Sequence, residues 1–121
     1  MLLIIGGEAS GKRSFAKSLG YSESDMADGT LNGCPVVYHV EQMVAADFEA
    51  APELLEPLCR KEVVICNEVG SGVIPVDYRV RLTREATGRL CVHLAQRADA
   101  VVRMVSGIPT VIKGEIPCRS V

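Results

Sequence analysis

The residues Gly6-Gly7-Glu8-Ala9-Ser10-Gly11-Lys12 satisfy the spacing G-x-x-x-x-G-K. Glycines in such a loop let backbone N–H groups converge on phosphate oxygens, and a lysine just beyond them reaches the terminal phosphates. The spacing is loose enough to arise by chance, so its context decides. Leu2-Leu-Ile-Ile5 is an unalternating apolar run of the kind buried on both faces of a parallel sheet, and it stops at Gly6. After Lys12, the apolar residues Phe15, Ala16 and Leu19 recur at helical spacing until Gly20. Strand, glycine loop and helix follow one another directly. This predicts a phosphate site made by Gly6, Gly7, Glu8, Ala9, Ser10, Gly11, Lys12, Arg13 and Ser14, with Lys12 as its catalytic cation.

A loop of this kind ordinarily continues with Ser or Thr, whose hydroxyl ligates Mg²⁺. Here that position is Arg13, and Ser14 comes one place later, about 100° further round the helix. Metal support is therefore expected to be weakened, with Ser14 and Glu68 as the remaining weak ligands. The Arg13 guanidinium is expected to replace part of the ion's charge by bidentate contact with phosphate. Glu68 follows the buried run Glu62-Val-Val-Ile-Cys66, at the sheet edge where α/β folds hold ligands. It reads as a catalytic carboxylate that positions Mg²⁺ or water, or else as a carboxylate that caps a nearby helix or pairs with an arginine. His39 follows Val36-Val37-Tyr38 on the same edge and reads as a base or phosphate contact, or as a polar strand terminator. Glu8 reads as an exposed loop residue. Neither His93 nor the five cysteines show a spacing that argues for catalysis.

These residues need a scaffold, and the pattern supplies one. Residues 21 to 35 are Ser, Glu, Asp, Gly, Thr and Asn with little periodicity, and read as loop or lid. Val36-Val37-Tyr38 reads as a second strand. Helical spacing from Val40 to Leu58 breaks near Pro52, which suits the first turn of a second helix. Glu62 to Cys66 is a third strand, followed by a loop from Asn67 to Pro75. Asp77 caps a helix running to about Ala98, with Val80, Thr83, Thr87, Leu90 and Leu94 as one stripe and Arg81, Glu85 and Arg89 opposite. Ala100 to Val105 is a fourth strand, Ser106 to Pro109 a turn, and Thr110 to Lys113 a returning hairpin arm, with a loose tail after Gly114. Strands alternating with helices predict a single α/β domain, three-layered, with a mostly parallel sheet.

Composition excludes several function classes. The chain has 121 residues, 48% of them apolar, which suffices for one core. A net charge of −2 with 23% charged residues gives no bulk attraction to nucleic acid or to a membrane surface. No Trp and 4% aromatics leave little material for stacking bases. No apolar run approaches the roughly 18 residues of a membrane span, and the first apolar run is too short for a signal peptide, so a cytoplasmic protein is expected. The odd cysteine count, without C-x-x-C, favours reduced thiols, most of them small buried apolar residues.

The pairing of Gly6-Gly-Glu-Ala-Ser-Gly-Lys12 with Val63-Val-Ile-Cys-Asn-Glu-Val-Gly-Ser-Gly-Val-Ile-Pro75 resembles the adenosylcobinamide kinase/adenosylcobinamide-phosphate guanylyltransferase family of cobalamin biosynthesis. Arg81, Arg84, Gly88-Arg89, Leu94-Ala95, Ala98-Asp99 and Gly107-Ile-Pro109 follow in that family's order and spacing. The resemblance covers residues 1 to 19 and 61 to 113. It implies a P-loop NTPase-like fold, ATP or GTP as cofactor with Mg²⁺, phosphorylation of a cobinamide hydroxyl, GMP transfer through a covalent histidine, and a homotrimer or other homo-oligomer. It also implies that Arg81 and Arg84, with His39, contact substrate or phosphate. The chain departs from the family as a shortened, divergent member. The family's segment bearing the guanylylated histidine is missing between the first helix and the third strand. His39 stands where an acidic metal ligand is expected, Arg13 stands for the loop serine, and an Asn-Gln pair is replaced around Cys91-Val92. Two functions stay open: phosphoryl or nucleotidyl transfer to a small hydroxyl substrate, or a catalytically degenerate P-loop module that binds or regulates.

Overall fold

The structure is a computed structural model and describes residues 1–68 and 77–116. A six-stranded sheet runs in the order β2-β3-β4-β1-β5-β6. Its strands are β1 (Leu2–Gly6), β2 (Met26–Asp28), β3 (Val36–Tyr38), β4 (Val63–Asn67), β5 (Ala100–Val105) and β6 (Ile108–Lys113). All neighbours pair in parallel except β5 with β6. β1 sits between β4 and β5, with Leu3 opposite both Val64 and Val101. That central place explains its unalternating apolar sequence, since both of its faces are covered.

Each face of the sheet carries its own core. On one, Leu2, Ile4, Ile65 and Val102 pack with Ala16 of helix α1 (Lys12–Ser18) and with Tyr21 and Met26. On the other, Leu3, Val64 and Val101 pack with residues of α2 (Val40–Ala46), the 3-10 segment Phe48–Leu54, α3 (Leu55–Cys59) and α4 (Tyr78–Arg97). Helices thus lie on both sides of a mostly parallel sheet, the predicted three-layer α/β architecture, and β5–β6 forms the expected C-terminal hairpin arm. Asp77 caps α4 as expected, its Oδ1 accepting from the N–H groups of Arg79 and Val80 at 2.8 and 3.2 Å. Thr87, Leu90 and Leu94 of the predicted stripe are buried, whereas Val80 is exposed.

Three expectations are corrected. Residues 21 to 35 are not bare loop: they hold a 3-10 turn, Glu23–Asp25, and the edge strand β2. Met-Ala-Asp is too short and mixed to show a period, and β2 is held by its parallel pairing with β3. The 40–58 region divides into α2, a 3-10 segment and α3, with Pro52 inside the 3-10 segment and not at a helix start. Among the described cysteines only Cys66 is buried; Cys34, Cys59 and Cys91 are partly exposed. The loop expected up to Pro75 lies outside the described residues beyond Glu68, as does the tail beyond Ile116.

The turn out of β1 needs glycine for steric reasons. A Cβ at Gly6 would come within 2.6 Å of both the Met104 carbonyl oxygen and Ser10 Oγ. Gly6→Ala is therefore expected to destabilise the fold by about 2 kcal/mol, read as a lower urea midpoint with unchanged slope. An unchanged midpoint would contradict this packing.

Candidate functional site

The carboxyl ends of β1, β3 and β4 meet at one edge of the sheet, where an open cavity of about 690 Å³ lies. Its size is in the ordinary range for small-molecule sites. Glu8, Ala9, Ser10, Gly11, Lys12, Arg13 and Ser14 line one side, and Tyr38, His39, Glu41, Gln42, Ile65 and Asn67 line the other. Lys17 and Glu23 complete the lining and form an ion pair with each other. Of the residues predicted to hold phosphate, only Gly6 and Gly7 lie outside the lining; Gly6 allows the chain to turn, and the Gly7 carbonyl holds Lys12.

Backbone geometry shapes the loop. Gly11 adopts a left-handed φ of 91° at the start of α1, and a side chain there would meet Gly107 in the β5–β6 turn. The Gly107 N–H in turn donates to the Ser10 carbonyl at 3.0 Å, so the hairpin braces the loop from behind. Lys12 is only 8% exposed. Its ammonium donates to the Gly7 carbonyl and, at 3.4 Å, to Ser10 Oγ, which leaves one of its three donors for a ligand. Burial lowers its pKa below the ordinary 10.5, opposed by the negative charge of Glu41 and, more weakly, by Cys66, Glu8 and Glu68.

Arg13 does not point freely into solvent. Its guanidinium lies 4.7 Å from the centre of the Tyr38 ring, a cation–π contact that holds it across the cavity. His39 begins α2 with a left-handed φ of 57°, and its Nδ1 lies 2.6 Å from Asp28 Oδ1. It thus ends a strand and lines the cavity at once.

The acidic residue nearest this chemistry in sequence expectations, Glu68, is otherwise engaged. Its Oε1 accepts from Arg103 Nε at 2.9 Å and its Oε2 from an Arg103 terminal nitrogen at 3.1 Å, and it does not line the cavity. The arginine-partner reading is the one observed. Glu41, which no motif singles out, lines the cavity, is the carboxylate that acts most on Lys12, and accepts from the Asn67 N–H at 3.3 Å through Oε2. No spacing rule points to it: it lies in the first turn of α2, opposite a loop 30 residues earlier in the chain, and only the fold joins them. Arg81 is also not brought to the cavity; it lies over the Tyr78 ring at 5.4 Å, and partly buried Arg84 does not line the cavity either.

A sequence model of the family described as cobinamide kinase / cobinamide phosphate guanyltransferase matches residues 21–112. The chain belongs to this family. Among curated relatives, the bifunctional adenosylcobalamin biosynthesis protein CobU of Escherichia coli (strain K12) is 34% identical over 74 residues, 61% of this chain and 41% of that protein. CobU of Salmonella typhimurium is 43% identical over 53 residues, 44% of this chain and 29% of that protein. CobP of Pseudomonas aeruginosa is 32% identical over 74 residues, 61% of this chain and 43% of that protein. The matches thus cover less than half the length of these relatives. Among the described residues, no helix is long and apolar enough to cross a membrane.

Proposed function

We propose that this protein binds the polyphosphate of ATP or GTP at residues 6 to 14 and transfers a phosphoryl or nucleotidyl group to a small hydroxyl substrate of the cobinamide kind. The observation that carries the reading is the convergence of Lys12, Arg13 and Glu41 on one cavity at the carboxyl ends of parallel strands. Phosphoryl transfer needs little covalent help, so positioning and charge supply most of the rate. Lys12 binds the terminal phosphates, Arg13 adds a second permanent cation, and Tyr38 fixes where that cation sits. The acceptor hydroxyl enters opposite, where His39 and Gln42 offer polar contacts. Membership of a cobalamin-biosynthesis family supports the substrate class.

Mg²⁺ fits this donor set. Mg²⁺ at phosphate sites takes one or two protein oxygens and fills its other positions with phosphate and water. Glu41, with the hydroxyl of Ser14 or Ser10, offers such oxygens from the cavity wall. When bound, the ion would neutralise charge on the phosphates. Glu41 therefore supplies the carboxylate that Arg13, His39 and an engaged Glu68 do not, and dependence on the ion is expected.

Calorimetry with ATP and GTP, with and without Mg²⁺, tests this. Wild type is expected to bind more tightly with Mg²⁺, and Glu41→Gln to lose that gain, about tenfold in affinity. Equal Mg²⁺ gains in both proteins would remove Glu41 from the role. A binding or regulatory module is the second reading, favoured by Arg13 in place of a hydroxyl; absence of nucleotide turnover with Mg²⁺ would select it. A homotrimer or other homo-oligomer is part of the proposal, supported by the edge strand β6, where Ile108, Val111 and Ile112 are exposed. Self-association would cover that edge.

A further inference from the structure

Cys66 and Cys91 lie with their Sγ atoms 3.2 Å apart, joining the end of β4 to the middle of α4. Cys66 is fully buried, pairs in register with Ile5 of β1, and stands between Ile65 and Asn67, both of which line the cavity. Cys91 is partly exposed and, with Val92, stands where the resembled family has an Asn-Gln pair. We propose that these two thiols form a reversible disulfide that weakens nucleotide binding, an inference that rests on the nucleotide reading above.

The chemistry needs only a small disulfide, such as oxidised glutathione. The Cys91 thiolate attacks one of its sulfurs, forming a mixed disulfide and releasing one glutathione thiolate. Cys66 loses its proton to water and attacks Cys91 Sγ, releasing the second thiolate. Two protein thiols are oxidised and one small disulfide is reduced to two thiols. Cys91 is the less buried of the two thiols and is the one a reagent meets first. The shared hydrogen bond lowers the Cys91 thiol and, with burial, raises that of Cys66, which agrees with this order.

Closing the bond brings the sulfurs from 3.2 Å to about 2.0 Å. Helix α4 is anchored by buried Leu90 and Leu94 on either side of Cys91, so the strand end gives way. Cys66 then moves toward α4 and shifts the adjoining Asn67 relative to Glu41. The Asn67 N–H to Glu41 contact, already 3.3 Å, is the link that breaks. Glu41 loses its fixed position, and nucleotide affinity is expected to fall about tenfold, at the low end of ordinary site-to-site couplings. By reciprocity, saturating nucleotide makes the thiol pair harder to oxidise, by about 30 mV for the same tenfold.

The test equilibrates the full chain in glutathione buffers of graded potential, with and without ATP or GTP, then maps linked peptides by mass after alkylation. Calorimetry follows on the fully reduced and oxidised forms, with Cys91→Ser and Cys91→Ala given the same treatment. Expected are a peptide linking Cys66 to Cys91, tenfold weaker binding in oxidised wild type, and no change in either variant. No such peptide, or that peptide with unchanged affinity, overturns the proposal. If reduced wild type binds neither nucleotide, the nucleotide reading fails and the regulatory role falls with it, while the mapped peptide alone judges the disulfide.

Discussion

Replacing Lys12 with alanine is expected to lower affinity for ATP and GTP about a hundredfold while leaving the fold intact. One charge-assisted hydrogen bond to phosphate, worth up to about 3 kcal/mol, accounts for a loss of that size. The ammonium is held by Gly7 and Ser10 within the loop, so no unpaired charge is left behind when it goes. Equal affinities in wild type and Lys12→Ala would remove the phosphate site from the protein. The same residue sets a pH dependence. Because burial lowers the Lys12 pKa below 10.5, its charge is lost at less alkaline pH than an ordinary lysine's, and nucleotide affinity should fall there. Lys12→Arg, which stays charged, should flatten that decline. Stability of the empty protein moves the opposite way. The unfolded chain holds this proton more tightly than the folded one, so Lys12 makes folding more favourable as pH rises from its lowered folded value toward 10.5.

Leu94→Ala is expected to cost about 3 kcal/mol, a large part of the 5–15 kcal/mol typical of a domain. Leu94 is fully buried on the inner face of α4, in one cluster with Leu3, Val64, Leu90 and Val101. Removing its side chain leaves a cavity between the helix and three central strands. Val92, two residues away and exposed, is the control: Val92→Ala should change stability by less than about 0.5 kcal/mol. Urea unfolding of both proteins measures the difference. A loss below about 1 kcal/mol in Leu94→Ala would show that α4 does not rest on this core.

What could be read without coordinates follows from how local each signal is. Leu2 to Gly6, the glycine loop and Lys12 are contiguous, and β1, the loop and α1 lie where their spacing places them. Ala100 to Val105 and the cap at Asp77 are likewise local patterns and were legible. β2 was not, because an edge strand of three residues is specified by the backbone of its neighbour and not by its own side chains. Glu41, and the identity of the arginine that pairs with Glu68, escaped for a different reason. Both depend on contacts between residues that are far apart in the chain, where the carboxylate's partner is chosen by strand order. The Cys66–Cys91 contact belongs to the same class.

The place of β1 in the sheet also bears on how the protein is made. Its neighbours, β4 and β5, lie about 60 and about 100 residues further along the chain, so its contacts are among the least local the fold contains. The glycine loop cannot take its shape until both have arrived, and the hairpin turn that braces it comes later still. Until then Leu2 to Ile5 is an uncovered apolar segment, open to the wrong neighbours. A ligand that recognises only the completed loop captures the last state to form and draws the population toward it. Nucleotide present during refolding should therefore raise the yield of native protein, acting as a folding aid.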